Sequence, residues 1–258
     1  MQAMANGIDH LVIAVADPDA AASELTEAVG LAFTGGGRHA GLGTFNRIAF
    51  LGDAYLELMG VDDPAAAERW EIGAAALRAL ERGGGFATWA LAEPSLRAAV
   101  SRLQANGSRI GPVTHGSRER ADGERVEWWT ASPPKLGPDL PPLLIKHLDA
   151  GAEWGAGALA ARRAFVHPIG SPVTLLELEL AVADPLSLAA EFASQVGVGF
   201  DSVGSAAVVG VGRHVVRLVP ADAGPWKAVA TIGVGIAAAR RRSATALGIG
   251  FRLVPVAV

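Results

Sequence analysis

Two side chains stand out for chemistry. His10 sits in GIDHLVIAVAD (7–17), on a run otherwise apolar, and Glu57 sits in AYLELM (54–59). If both runs are strands, alternation puts His10, Val12 and Ala14 on one face and Leu11, Ile13 and Val15 on the other. Tyr55, Glu57 and Met59 share the first face. A histidine and a carboxylate then point into one cleft, where they could ligate a metal or act as a general base and its orienting partner. The bland alternative is a hydrogen-bonded pair with no chemistry of its own.

The segment between them, Gly35 to Asn46 (GGGRHAGLGTFN), is the second candidate. So many glycines weaken a strand, so they need a reason. They would let the backbone bend around a ligand contacted by Arg38, His39, Thr44 and Asn46, with an arginine able to hold a carboxylate. A plain glycine-rich turn is the competing explanation. It is no phosphate loop, because no Lys-Ser/Thr pair or helix follows. On the run 125–131, Trp128 and Trp129 must face opposite ways, and one could wall a ligand. His115 and Arg118 to Arg120 read as a solvated polar loop.

These residues need strands to carry them, and the chain supplies a repeat. A strand at 7–16 is followed by a helix capped at Asp17-Pro18 and stopped at Gly30. Strands at 31–37, 44–51 and 54–59 complete a β-α-β-β-β order. Pro64 to Arg82 reads as a connecting helix. A second unit takes strands at 86–91, 109–114, 125–131 and 143–148, with its helix opening at Glu93-Pro94. A Gly/Ala-rich linker covers 151–170. A third unit follows, with strands at 173–182, 198–203, 206–211 and 214–219 and a helix at 185–196. Only two strand-like runs remain, at 228–237 and 248–256. The expected division is 1–150 as paired units, 151–170 as linker, and 171–258 as a third unit plus a degenerate fourth.

Aligning the units on their helix starts places Glu177 and Phe86 at the position of His10. Arg217 falls at the position of Glu57, and unit two offers Leu144 or Ile145 there. An ion pair between Glu177 and Arg217 is expected.

Paired β-α-β-β-β units carrying DHLVIAV, GGRHAGLGTFNRIAFLG and YLEL in this order resemble the vicinal oxygen chelate superfamily, most closely its glyoxalase-like domain proteins. The resemblance covers about the first 150 residues. It implies an α+β fold of curved, mostly antiparallel sheets forming a cleft. It also implies a small-molecule lyase, isomerase or dioxygenase using a divalent metal (Zn, Mn, Fe or Ni) or the His/Glu pair, with His10, Glu57 and His39 as catalytic residues. His10 and Glu57 match two metal-ligand positions, and His147 or His39 would supply a third. Arg38, Thr44, Asn46 and Trp128 would bind substrate. A metal-free protein that binds or sequesters a small molecule is the alternative. Phe86, Leu144 and Ile145 cannot ligate a metal.

Composition narrows the partners. The chain has 258 residues, half of them hydrophobic, a net charge of −4 and no cysteine. Disulfides and thiolate metal sites are excluded. No basic block argues for nucleic acid. No apolar run suits a membrane span or a signal peptide, so the expected location is the cytoplasm. The expected partner is a small molecule, with a homodimer left open.

Overall fold

A computed structural model describes residues 6–120, 122–222, 227–235 and 242–256. Unit one comprises β1 (Gly7–Ala14), α1 (Pro18–Val29), β2 (Gly35–His39), β3 (Thr44–Leu51) and β4 (Ala54–Val61). The helices α2 (Pro64–Ala67) and α3 (Glu71–Leu80) lead to unit two: β5 (Gly85–Ala92), α4 (Leu96–Ala105), β6 (Thr114–Glu119), β7 (Arg125–Ala131) and β8 (Leu143–His147). The expected linker folds into α5 (Gly151–Trp154) and α6 (Ala156–Ala164). Unit three contains β9 (Val173–Val182), α7 (Pro185–Val196), β10 (Asp201–Val203), β11 (Ala206–Val211) and β12 (His214–Pro220). Three further strands end the chain: β13 (Ala228–Gly235), β14 (Arg242–Ala246) and β15 (Ile249–Val256).

Units one and two close into a barrel with the order β1-β4-β3-β2-β6-β7-β8-β5. The remaining strands form a seven-stranded sheet, β10-β11-β12-β9-β13-β15-β14. The two orders match strand for strand, with β9 in the place of β1 and β13 in that of β5. Among the described residues no strand takes the place of β6 in the second sheet, so the described strands form an open sheet. The α+β fold of repeated β-α-β-β-β units is therefore as expected. β14 was not anticipated.

Local chemistry explains the helix frames. Asp17 caps α1 by accepting from the backbone N–H groups of Asp19 and Ala20, Pro18 follows, and Gly30 ends the helix at φ +82°. The convex face of the barrel, the helices α1, α4 and α7 and the second sheet share one core. Leu11, Ile13, Leu25, Trp89, Val100, Leu178 and Phe192 belong to it. Inside the barrel, Val12, Ala14, Met59, Ala90, Leu143 and Ile145 meet Ile72, Ala75, Ala76 and Ala79 of α3. One end of the barrel is thus filled by α3. At the other end Trp154 packs on Ile48, Phe50 and Tyr55, so α5 and α6 form a roof.

Strand pairing corrects the alignment of unit two. In β1, Ile8 pairs with Leu91 and His10 with Ala90, leaving Asp9 as a bulge. In β5, Val12 pairs with Thr88 and Ile13 with Phe86, leaving Ala87 as the matching bulge. The N-cap position of α4 falls at Ser95 rather than at Glu93, whose side chain accepts from the Ser95 N–H at 2.9 Å. Bulges and caps share one offset, so Thr88, not Phe86, corresponds to His10. Parallel pairing of Val12 with Glu57 and of Ala90 with Leu143 then matches Leu143, not Leu144 or Ile145, to Glu57. Phe86 and Leu144 belong to the convex core. Unit three keeps the bulge at Leu176 and the expected register. Arg217 Nε donates to Glu177 at 2.7 Å. That pair is partly exposed, because its sheet is open.

Two further elements moved. The second strand of unit one starts at Gly35 rather than Leu31. The second strand of unit two is Thr114–Glu119 rather than 109–114, which turns a presumed loop into barrel wall.

Candidate functional site

The polar site lies inside the barrel between α3 and the roof. The β1 bulge is what builds it, because an extra residue breaks alternation and lets two consecutive side chains face the same way. His10 Nδ1 lies 2.8 Å from Asp9 Oδ1, and His147 Nε2 lies 3.1 Å from the same oxygen. Burial alone would raise the pKa of Asp9, but the His147 and His10 beside it hold the carboxyl well below the usual range. An ionised Asp9 accepts from both rings. That fixes the His10 proton on Nδ1 and leaves Nε2 pointing across the barrel.

Opposite Nε2, at 3.6 Å, is Glu57 Oε2. Glu57 Oε1 accepts from Asn46 Nδ2 at 2.7 Å. The Gly37 N–H donates to Asn46 Oδ1 at 2.9 Å, so the amide cannot be turned round. Asn46 Nδ2 also lies 3.1 Å from His39 Nε2, and His39 Nδ1 lies 2.6 Å from Thr44 Oγ1. His39 therefore accepts at Nε2 and donates from Nδ1 to Thr44. Burial pushes its pKa down to about 4, which keeps it neutral. Asp9, His10, His39, Thr44, Asn46, Glu57 and His147 are all buried.

Aromatic rings wall the site. Tyr55 stacks on His10 with ring centres 4.6 Å apart, Trp128 meets His39 edge-on at 5.6 Å, and Trp70 meets it at 5.9 Å. A cavity of about 30 Å³ remains among His10, His39, Asn46, Tyr55, Glu57 and Trp128, room for roughly two waters. The roof seals it. Trp154 stacks on His147 at 3.4 Å and nearly parallel, and Arg162 lies over the Phe50 and Trp154 rings at 4.1 and 4.5 Å.

Most of the expected residues meet here, with two corrections. Arg38 is exposed on the outside of β2 and pairs with Asp62, so it does not reach the cavity. His147 is in the site but not as a partner of Glu57. It binds Asp9 on the Nδ1 side of His10, whereas Glu57 stands on the Nε2 side. The trio His10, Glu57 and His147 thus does not converge. His39 Nε2 comes within 3.7 Å of Glu57 Oε1, but the Asn46 amide already binds both. A catalytic metal needs about three free protein donors, and among the described residues no three His, Asp or Glu are disposed to hold one. Thr88 and Leu143, at the matching positions in unit two, add no ligand. The donor set does not fit the metal that the resemblance implies.

Asp9, Arg118, Glu153, Trp154 and Arg162 are site residues that the sequence reading missed, whereas Tyr55 was placed on the cleft face without a role. Asp9 carried a signal in its adjacency to His10, but regular alternation sends it outward. Arg118 was hidden in a polar run, HGSRER, which a barrel interior tolerates as strand. Nothing in 151–164 distinguishes a roof from a linker.

The profile of the glyoxalase-like domain family matches residues 8–196. A crystal structure of a hypothetical protein from Staphylococcus aureus superposes with a TM-score of 0.78 at 14% identity, covering 96% of this chain and 99% of that one. Methylmalonyl-CoA epimerase from Mycobacterium tuberculosis superposes with a TM-score of 0.43 at 22% identity, covering 58% of this chain and 93% of that one. No curated protein matches the sequence. Among the described residues, no helix is long and apolar enough to cross a membrane.

Proposed function

The chain belongs to the glyoxalase-like domain family, and from that premise we propose that it is a proton-transfer enzyme, an isomerase or lyase acting on a small molecule inside the barrel without a metal ion. One observation carries this: an ionised Asp9 holds His10 by Nδ1 and aims Nε2 at Glu57, 3.6 Å away. That is a base with its orienting carboxylate on one side and a second proton-transfer group on the other.

His10 Nε2 takes a proton from a carbon next to a carbonyl, and the electron pair left behind passes into that carbonyl. Return of a proton to the opposite face from Glu57, which enters the step as the carboxylic acid and leaves it as the carboxylate, gives an isomer; departure of a group with its electron pair from the neighbouring carbon, protonated by the His10 imidazolium, gives a lyase product. Asn46 positions Glu57, and His39 with Thr44 positions Asn46. No step passes through a metal, because the Asn46 amide takes His39 Nε2 and Asp9 takes His147 Nε2, which leaves His10 Nε2 and Glu57 Oε2 one donor short of a three-ligand site.

The test is solvent deuterium uptake by small carbonyl acids, followed by NMR in metal-free protein. Uptake by the wild type that disappears in His10→Gln supports the proposal. Uptake that appears only after a divalent metal is added, or that survives His10→Gln, overturns it. The aromatic walls of the site favour a second reading, a protein that binds a small molecule without turning it over. Saturable binding with no uptake for any bound compound would select it.

A further inference from the structure

Arg118 is a cation of this site that the proton-transfer scheme does not use. It is 3% exposed and lines the cavity beside His10, His39 and Glu57. Its Nη1 donates to the Gly36 carbonyl at 2.9 Å, which fixes the guanidinium. Its Nη2 donates to the Glu153 carboxylate. The other Glu153 oxygen accepts from Arg120 Nη1 at 2.7 Å. Glu153 is equally buried, but it belongs to the roof rather than to the barrel.

The roof is an incomplete fit. His147 Nδ1, beneath Trp154, and Arg162 Nε are buried without hydrogen-bond partners. Burying a carboxylate from a short roof helix is costly unless its partners are well placed, and Arg118 with Arg120 provides that placement. A cavity of about 30 Å³ cannot admit an organic ligand. A carboxylate that takes the place of Glu153 on Arg118 displaces α5, and that displacement removes neighbouring residues together: Trp154 from His147 and Glu153 from Arg118. What remains is a planar, pre-oriented guanidinium facing His10 and Glu57 with no anion on it.

We propose that Glu153 is a built-in stand-in for the substrate's own carboxylate, and that the ligand of this site is a small carboxylic acid. Its carboxylate replaces Glu153 on Arg118 and Arg120, a match for the guanidinium fork. The carbon beside that carboxylate then lies in front of His10. This deepens the reading of the barrel as a small-molecule site and does not depend on the reaction performed there.

The probes are propanoate, propanamide and inorganic phosphate, titrated by calorimetry into wild type, Glu153→Gln and the double variant Arg118→Gln/Glu153→Gln. Removing the internal competitor should tighten propanoate at least tenfold in Glu153→Gln, with no response to propanamide and none to any probe in the double variant. Unchanged propanoate affinity, an equal response in the double variant, or phosphate binding as tightly as propanoate would overturn the assignment. Should Glu153→Gln not fold, wild-type hydrogen exchange decides. Propanoate, but not propanamide, should speed exchange across residues 151–164, and no difference between them overturns the proposal. His10→Gln should keep propanoate binding while losing deuterium uptake, so failure of the chemistry and failure of the carboxylate subsite are told apart.

Discussion

Asp9 and His10 are neighbours in one strand, yet their side chains meet on the same side of it, Oδ1 to Nδ1 at 2.8 Å. A bulge against Leu91 and Ala90 makes this contact. It gives the site its direction: the carboxylate lies behind the ring and the free nitrogen points toward Glu57.

Replacing Asp9 with Asn should cut proton transfer by about 10²–10⁴-fold. The amide can present its NH₂ to Nδ1, moving the ring proton to Nε2 and blocking the base. The backbone and the bulge stay intact, so circular dichroism should be unchanged while deuterium uptake falls. A variant with full uptake would show that the orientation of His10 does not matter.

The glycines of 35–43 answer to packing before they answer to a ligand. Gly36 has φ +135°, and a Cβ there would collide with the Asn46 carbonyl oxygen; one on Gly37 would collide with that of Glu119. These are the places where β2 is squeezed between β3 and β6 to close the barrel. Gly36→Ala should therefore cost at least about 2 kcal/mol of stability, from strain and collision together. It should also loosen Asn46, whose carbonyl it meets. Denaturant titration reads the first effect and the Asn46 amide resonance the second. A variant as stable as wild type would mean that β2 can shift freely.

The repeat, the helix caps and the inward face of β1 were legible because they rest on local chemistry: Asp-Pro starts, glycine stops and alternation. That was enough to bring His10, His39, Asn46 and Glu57 together. The failures share a cause in long-range pairing. A bulge is invisible to a period-two pattern, which hid Asp9 and, with the wrong cap at Glu93-Pro94, displaced the unit-two match from Thr88 to Phe86. Arg118 was read as loop because polar residues in a strand imply solvent, whereas here they imply a barrel interior. Arg38, two residues before Ala40 in the same glycine-rich run, looked equivalent to His39, but alternation puts adjacent residues on opposite sides.

Metal removal should leave the protein unchanged. Because Asn46 binds both His39 and Glu57, and Asp9 binds both His10 and His147, the site's five His, Asp and Glu side chains fall into two sets that leave only His10 Nε2 and Glu57 Oε2 facing each other. Prolonged dialysis against EDTA should not shift the melting temperature, and zinc or manganese added back should not raise it by binding the barrel. Elemental analysis should find no stoichiometric metal. One tightly held ion per chain, lost in His10→Ala, would refute this.

Stability should fall as the solution is acidified from about pH 6.5 to about pH 4. His39 titrates near 4 in the folded chain because burial opposes its charge, against 6.5 when exposed. Between those values the unfolded chain holds the extra proton, so acid favours unfolding, and the stabilising contribution is complete only above about pH 6.5. A shift of this size corresponds to something on the order of 3 kcal/mol. His214 acts in the same direction. Burial, then Arg213, lowers its pKa to about 4, and its Nδ1 accepts the Ile8 N–H at 2.9 Å, so protonation breaks the bond that anchors β1 to unit three. Asp9 adds to the loss only at lower pH, below the ordinary carboxylate range, because its folded pKa is depressed. Denaturant midpoints at pH 7.5 and pH 4.5 measure the effect. His39→Gln, which keeps a neutral polar group beside Thr44 and Asn46, should shrink the difference between the two. Equal midpoints in wild type at both values would show that these rings are free to charge in the folded protein.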